Sequence, residues 1–159
     1  SVYKNTQALY FVLESLRRQT ILDFEIIISE DGEDKAMSDF VKNYDWFCVY
    51  QHLTQPDVGW RKNRALNRAI LAAKNEWSIL IDGDCLVHRR FVEMHLRYAA
   101  PNRILLGRRV KLLKVMSDKV LNGKIKLSQI GMNMIKDLFV SGAKQVEDGI
   151  FVPLLLNKE

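Results

Sequence analysis

Apolar residues recur along this chain with two different spacings, and the switches between them predict its elements. Leu9, Val12, Leu13 and Leu16 fall three and four apart, which predicts a helix with one buried face. Asn5 or Thr6 suits its N-cap, and Arg17 and Arg18 suit the negative end of its dipole. Residues 24–29 then read as a strand, followed at its carboxyl end by the acidic turn Glu30-Asp31-Gly32-Glu33-Asp34. A short helix with Met37, Phe40, Val41 and Tyr44 on its inner face leads to a strand over 47–52. The breaker-rich stretch 54–60 opens another helix, with Leu66, Ala69, Ile70 and Ala73 inward and Arg61, Lys62, Asn63, Arg64 and Asn67 in its first turns. Residues 77–85, Trp-Ser-Ile-Leu-Ile-Asp-Gly-Asp-Cys, form an apolar run that ends in two carboxylates one glycine apart. Such a run predicts a strand covered on both faces that delivers acids to a rim. A helix over 88–98 and a strand over 104–110 follow, while residues 1–5 read as the end of a strand whose earlier part is absent.

Strands and helices that alternate in this way predict right-handed βαβ units and a mostly parallel central sheet between helical layers. In open sheets of this class ligands bind beyond the carboxyl ends of the strands. Beyond Val110 the pattern weakens. Residues 111–142 predict one or two amphipathic helices interrupted near Asn122-Gly123, and 146–156 form an apolar run containing a proline. This second part reads as a helical appendage of the same domain.

Composition narrows the picture little. A chain of 159 residues with 48% hydrophobic content fits one globular domain. Lys and Arg exceed Asp and Glu by 24 to 19, an excess that suits a nucleoside diphosphate, a nucleic acid or an anionic membrane surface. No run approaches the roughly 18 apolar residues of a membrane span, and no signal or lipidation motif is present. A soluble, cytoplasmic chain is expected. Lys111, Lys114, Lys119, Lys124 and Lys126 leave room for peripheral contact at the inner membrane face. Cys48 and Cys85 lack metal-type spacing and read as reduced thiols.

The chemistry gathers where strand ends meet: residues 1–3, Glu30-Asp31, and Asp82-Gly83-Asp84, with the basic helix start at 61–64 nearby by topology. Hard carboxylate oxygens suit Mn2+ or Mg2+ bridging phosphate oxygens. An Asp-Gly-Asp alone also serves as a plain solvated turn; the second acidic turn is what makes the two a site. His88 could complete a metal shell or cap the following helix, and Trp60 could gate the site or simply pack.

These residues resemble the family 2 glycosyltransferases. Ser1-Val2-Tyr3 is similar to the end of that family's first strand, Ser29-Glu30-Asp31-Gly32 to its acidic turn, and Ile81-Asp82-Gly83-Asp84-Cys85 to its Asp-x-Asp segment. The resemblance covers about residues 1–110 and implies the GT-A fold, a Rossmann-like three-layer α/β sandwich, with 1–110 as the nucleotide-sugar-binding part and 111–159 as appendage and start of an acceptor-side segment. It implies that Tyr3 lies against the base, Asp31 bonds the base edge, Lys62 or Arg64 or their neighbour Arg61 assists, Asp82 meets the ribose or shares the metal, and Asp84 is the main metal ligand. The implied reaction transfers a sugar, with inversion, from a nucleoside diphosphate sugar (a UDP-sugar is favoured) to a saccharide or lipid-linked acceptor, as in polysaccharide biosynthesis. The family's general base usually lies in a Glu-Asp pair beyond a Gly/Trp-rich stretch; Glu147-Asp148 carries the letters without that context, which makes Asp148 the candidate and leaves the base otherwise unassigned.

Two other classes fit parts of the pattern. A phosphatase of the haloacid dehalogenase type also places Asp-x-Asp after an apolar strand, but usually at the start of its domain. A basic nucleic-acid-binding module would suit the net charge of +5, yet acids at the presumed phosphate surface argue against nucleic acid as a partner.

Overall fold

The computed structural model describes residues 1–107, 112 and 114–126. The expectations for the end of the 104–110 strand, for the segment beyond 126 and for Glu147 and Asp148 lie outside the described residues. The chain divides into two compact units, Ser1–Leu105 and Leu106–Glu159.

The first unit opens with helix α1 (Thr6–Arg17), whose first turn is capped by the Asn5 side chain accepting from the Ala8 amide at 2.9 Å. Its buried apolar residues Leu9, Val12, Leu13 and Leu16 are the four that the spacing predicts, and Ser15 is buried with them. Strand β1 (Ile26–Ser29) follows, then α2 (Lys35–Asn43), capped by Asp34, and strand β2 (Tyr50–Leu53). β1 and β2 run parallel, in the register Ile26 to Tyr50 and Ser29 to Leu53. Val2 continues the ladder on the other side of β1: its amide donates to the Ser29 carbonyl at 2.9 Å, and its carbonyl accepts from Asp31 at 3.1 Å. Ser1 in turn bonds the next segment, with its nitrogen donating to the Ile81 carbonyl at 2.8 Å and its carbonyl accepting from Gly83 at 2.7 Å. Four backbone segments therefore lie side by side, in the order β2, β1, 1–2 and 81–83.

The core lies between this sheet and helices α1 and α2. Val2, Leu9, Leu13, Ile28, Met37 and Val41 form one buried cluster, against which Ile26, Phe40, Tyr44 and Trp46 pack. Fully burying a side chain of this size contributes about 1.5–3 kcal/mol. Helix α3 (Lys62–Ala72) and helix α4 (Phe91–Tyr98) complete the first unit.

Four expectations are corrected. Residues 77–81 form no assigned strand and are not covered on both faces: Trp77 is 39% exposed and Leu80 58%. The backbone bonds of this segment to Ser1 are made by Ile81 and Gly83, and no strand ladder includes residues 77–80 among the described residues. α3 turns Ala65 and Ala69 inward, with Ile70 left exposed, because two alanines let the helix backbone approach the sheet closely. α4 begins at Phe91 rather than at residue 88, with Arg90 as N-cap; the exposed His88 lies in the turn before it and accepts the Phe91 amide through its carbonyl and the Arg90 amide through Nδ1. Residues 104–107 lie in no strand.

In the second unit, α5 (Lys114–Leu121) ends before Asn122 and Gly123, and Gly123 takes a left-handed φ of 68° that stops the helix. The interruption predicted there is present. Among the described residues no helix is long and apolar enough to cross a membrane.

Candidate functional site

The two acidic turns are brought together by the short backbone seam at Ser1 and Val2. Because Val2 pairs with Ser29 and Asp31 while Ser1 pairs with Ile81 and Gly83, Tyr3, Asp31 and Asp82 leave their strands at the same end of the sheet. That end is the carboxyl edge of β1, where ligands of parallel sheets bind. Gly83 is required by the seam itself: a Cβ there would lie 2.7 Å from the Ser1 carbonyl oxygen and 2.7 Å from Val2 Cγ1.

Beyond the seam, Asp82 and Asp84 fold over a tight turn closed by the Cys85 amide donating to the Asp82 carbonyl at 3.1 Å. One ligand atom from each of Asp82, Asp84 and Cys85 lies within 4.8 Å of the others. The two carboxylates fit a hard divalent cation such as Mg2+ or Mn2+. The Cys85 thiol is a softer donor and points its hydrogen at Asp84 Oδ1, 3.6 Å away. His88 is no part of this group.

Lys62, the first residue of α3, reaches across to Asp82 with Nζ 2.5 Å from Oδ1. Arg64 stands exposed on the helix surface, two positions further on. Of the candidate cations it is therefore Lys62 that the structure brings to the Asp-Gly-Asp turn.

Asp31 is only 9% exposed and is held on both oxygens. Oδ1 accepts from Gln55 Nε2 at 2.6 Å, and Oδ2 accepts from the Arg61 backbone amide at 2.9 Å. The same Gln55 amide also donates to the Arg61 carbonyl at 3.2 Å, and Arg61 Nη2 donates to the Pro56 carbonyl at 3.0 Å. The base of loop 55–61 is thus closed around the Asp31 carboxylate. Tyr3 is 53% exposed; its hydroxyl donates to Asp57 Oδ2 at 3.3 Å, and its ring lies beside Gly32. Lys4 sits over that ring and pairs with Asp57 at 2.7 Å, an ion pair that holds the Asp57 carboxyl below its usual range. Trp60, at the tip of the loop after a left-handed Gly59, is 89% exposed.

Sequence reasoning counted Glu30 with Asp31 at the site without foreseeing its burial, and it passed over Gln55. Glu30 is 1% exposed, accepts the Asp34 amide on Oε1 at 2.9 Å and meets His52 Nε2 with Oε2 at 2.8 Å. Strand parity could have found this pair, since Ile28 pairs with His52 and Glu30 lies on the same face as Ile28. No comparable pattern marks Gln55. An open depression of about 700 Å³ between α1 and α2, lined in part by Tyr10, Glu14, Phe40 and Tyr44, shares no residue with the Asp31–Asp82 region.

A family model described as glycosyl transferase family 2 matches residues 1–136. The chain belongs to that family. Family 2 glycosyltransferases have the Rossmann-like GT-A α/β fold, and the parallel β1–β2 pair with its flanking helices agrees with it. The membership sets aside the phosphatase reading of Asp82 and Asp84. Among curated proteins, chondroitin synthase of Escherichia coli is 26% identical over 110 residues, which cover 67% of this chain and 16% of that protein. Validoxylamine A glucosyltransferase of Streptomyces hygroscopicus subsp. jinggangensis is 28% identical over 110 residues, covering 66% of this chain and 26% of the relative. The match therefore spans no more than 26% of the length of either relative. No solved structure matches.

Proposed function

We propose that this chain is the donor-binding part of an inverting, metal-dependent family 2 glycosyltransferase that takes a nucleoside diphosphate sugar, with a UDP-sugar favoured. The observation that carries the reading is the convergence of Asp82, Asp84 and Lys62 at the sheet edge that also presents Asp31 and Tyr3. Asp84, with Asp82, would hold Mn2+ or Mg2+, which when bound offsets negative charge on a diphosphate leaving group. Lys62 adds a mobile positive charge beside the same carboxylates, and its pairing with Asp82 fixes where that charge sits. The exposed Tyr3 ring offers a face for a base to stack on, and the lone pairs of Asp31 not used by Gln55 and Arg61 can accept from a base N–H. The proton of the acceptor hydroxyl, on a saccharide or a lipid-linked sugar, would go to a carboxylate outside this cluster, with Asp148 the candidate. A cytoplasmic setting with peripheral contact at the inner membrane face accords with the lysines of α5 and its surroundings.

A thermal-shift panel tests the reading: UDP, GDP and their sugars, each with and without Mn2+, on the unsubstituted chain and on Asp84→Ala. The expected result is a metal-dependent rise with UDP or a UDP-sugar that Asp84→Ala loses; at a hundred times Kd the stabilisation amounts to about 2.7 kcal/mol. No metal-dependent shift with any nucleotide would overturn it, as would metal-insensitive binding to polynucleotide that falls steeply with salt.

A further inference from the structure

We propose that Gln55 is a positioning residue for the donor base: it orients the Asp31 carboxylate and closes the base of loop 55–61 around it. The inference rests on the donor-site reading above. Gln55 is only 3% exposed although it lies in a loop, and its side-chain nitrogen faces two acceptors at once, Asp31 Oδ1 at 2.6 Å and the Arg61 carbonyl at 3.2 Å. Two acceptors on one side fix the amide orientation, because a carbonyl oxygen turned to that place would meet only oxygens. The main chain of Gln55 is tied to the same turn, with its amide donating to the Gly32 carbonyl at 3.3 Å. Nothing in the scaffold of strands explains these bonds, since β2 ends at Leu53. Their effect is local: Asp31 is clamped between Gln55 and the Arg61 amide, and Lys62, which reaches Asp82, is the very next residue.

The chemistry of the clamp follows from what Gln55 can donate. With the amide present, Asp31 Oδ1 gives one lone pair to a neutral donor and keeps a second for another hydrogen bond, in a turn whose Gly32 lies beside the Tyr3 ring. A glutamate in its place would set two carboxyls at hydrogen-bond distance, and such a pair holds together only when it shares a proton. A leucine would fill the space without donating.

The test measures binding of UDP-glucose in saturating Mn2+ by calorimetry at about pH 5.5 and about pH 8, an interval in which neither its diphosphate nor its uracil titrates. Unsubstituted chain, Gln55→Leu and Gln55→Glu are compared, with a melting curve for each. The expected result is affinity about tenfold lower or more in Gln55→Leu at both pH values, as for loss of a hydrogen bond to a charged group. Gln55→Glu should bind almost as the unsubstituted chain does at the lower pH and lose that affinity at the higher. A residue with a merely structural role would shift the melting curves without giving the glutamate variant a pH dependence of its own. Binding by both variants that matches the unsubstituted chain at both pH values overturns this inference and leaves the donor-site reading standing. Absence of metal-dependent binding of any nucleotide sugar by the unsubstituted chain overturns both.

Discussion

At Gly83 a side chain would have to occupy space that Ser1 and Val2 already fill. The Ser1 carbonyl oxygen, 2.7 Å from where a Cβ would stand, cannot withdraw without lengthening the bond it accepts from the Gly83 amide. The glycine between the two aspartates reads in sequence as a flexible spacer for metal ligands; its structural role is to let two backbones touch. Gly83→Ala should therefore destabilise the chain by about 1–3 kcal/mol and weaken Mn2+ binding at Asp82 and Asp84, readable in urea melts and a Mn2+ titration. Stability and metal affinity equal to those of the unsubstituted chain would show that the seam can yield. Glu30 teaches a related lesson. Its letter belongs to the acidic turn, but its carboxyl is turned inward to His52 and the Asp34 amide, which leaves Asp31 as the acid of that turn nearest the cleft. Neither burial is legible from residue type, since acids are rarely buried unless paired and the partners here come from other elements.

Elements whose partners are local were the most legible. α1 shows its predicted inner face and cap, and α2 buries Met37 and Val41 of its predicted face, because spacing and capping are set within a dozen residues. α4 is different: its start is set by residues far away in sequence. Gln19 accepts the Val92 amide at 3.0 Å and donates to the His88 carbonyl at 2.9 Å, and Thr20 donates to Glu93 at 2.8 Å. Glu93 is also gripped by Arg90, and these two partners, Arg90 foremost, hold its carboxyl down at about 2, against an ordinary 4.5. A carboxyl whose pKa falls on folding stabilises the folded state fully above the ordinary value and loses that effect as pH drops toward the folded one. The stability difference between the unsubstituted chain and Glu93→Gln should accordingly be present near neutrality and shrink as pH is lowered from 4.5 toward 2, as followed by urea melts across that range. A difference that does not change with pH would mean that the Arg90 and Thr20 contacts leave the carboxyl's titration untouched.

At the scale of the whole molecule, the order of strand ends was readable and the extent of the sheet was not. Parallel strands become covered when helices pack on both faces of the sheet, and an apolar run such as 77–81 states only that it suits such a place. Here Trp77 and Leu80 are exposed, and among the described residues 77–81 form no strand. The alternation of elements, by contrast, depends on the chain's own punctuation and gave the α/β class, while the acidic turn and the Asp-Gly-Asp segment carried the resemblance to the family whose model matches residues 1–136. Gln55 and the closed loop base escaped notice because a glutamine among breakers looks like any solvated turn until the burial around it is seen.

The three tryptophans of the chain sit in unlike surroundings. Trp46 stacks on Tyr50 at 3.9 Å and donates its indole N–H to the Val41 carbonyl, and Trp77 is 39% exposed, whereas Trp60 stands 89% in solvent on the loop that Asp31 anchors. An added quencher such as acrylamide should remove the long-wavelength edge of the emission first, and Trp60→Phe should remove that edge without quencher. The loop thus carries its own optical reporter: a nucleotide sugar that settles against Tyr3, Asp31 and Lys62 would announce itself as a change in how readily that one indole is quenched, with no label attached.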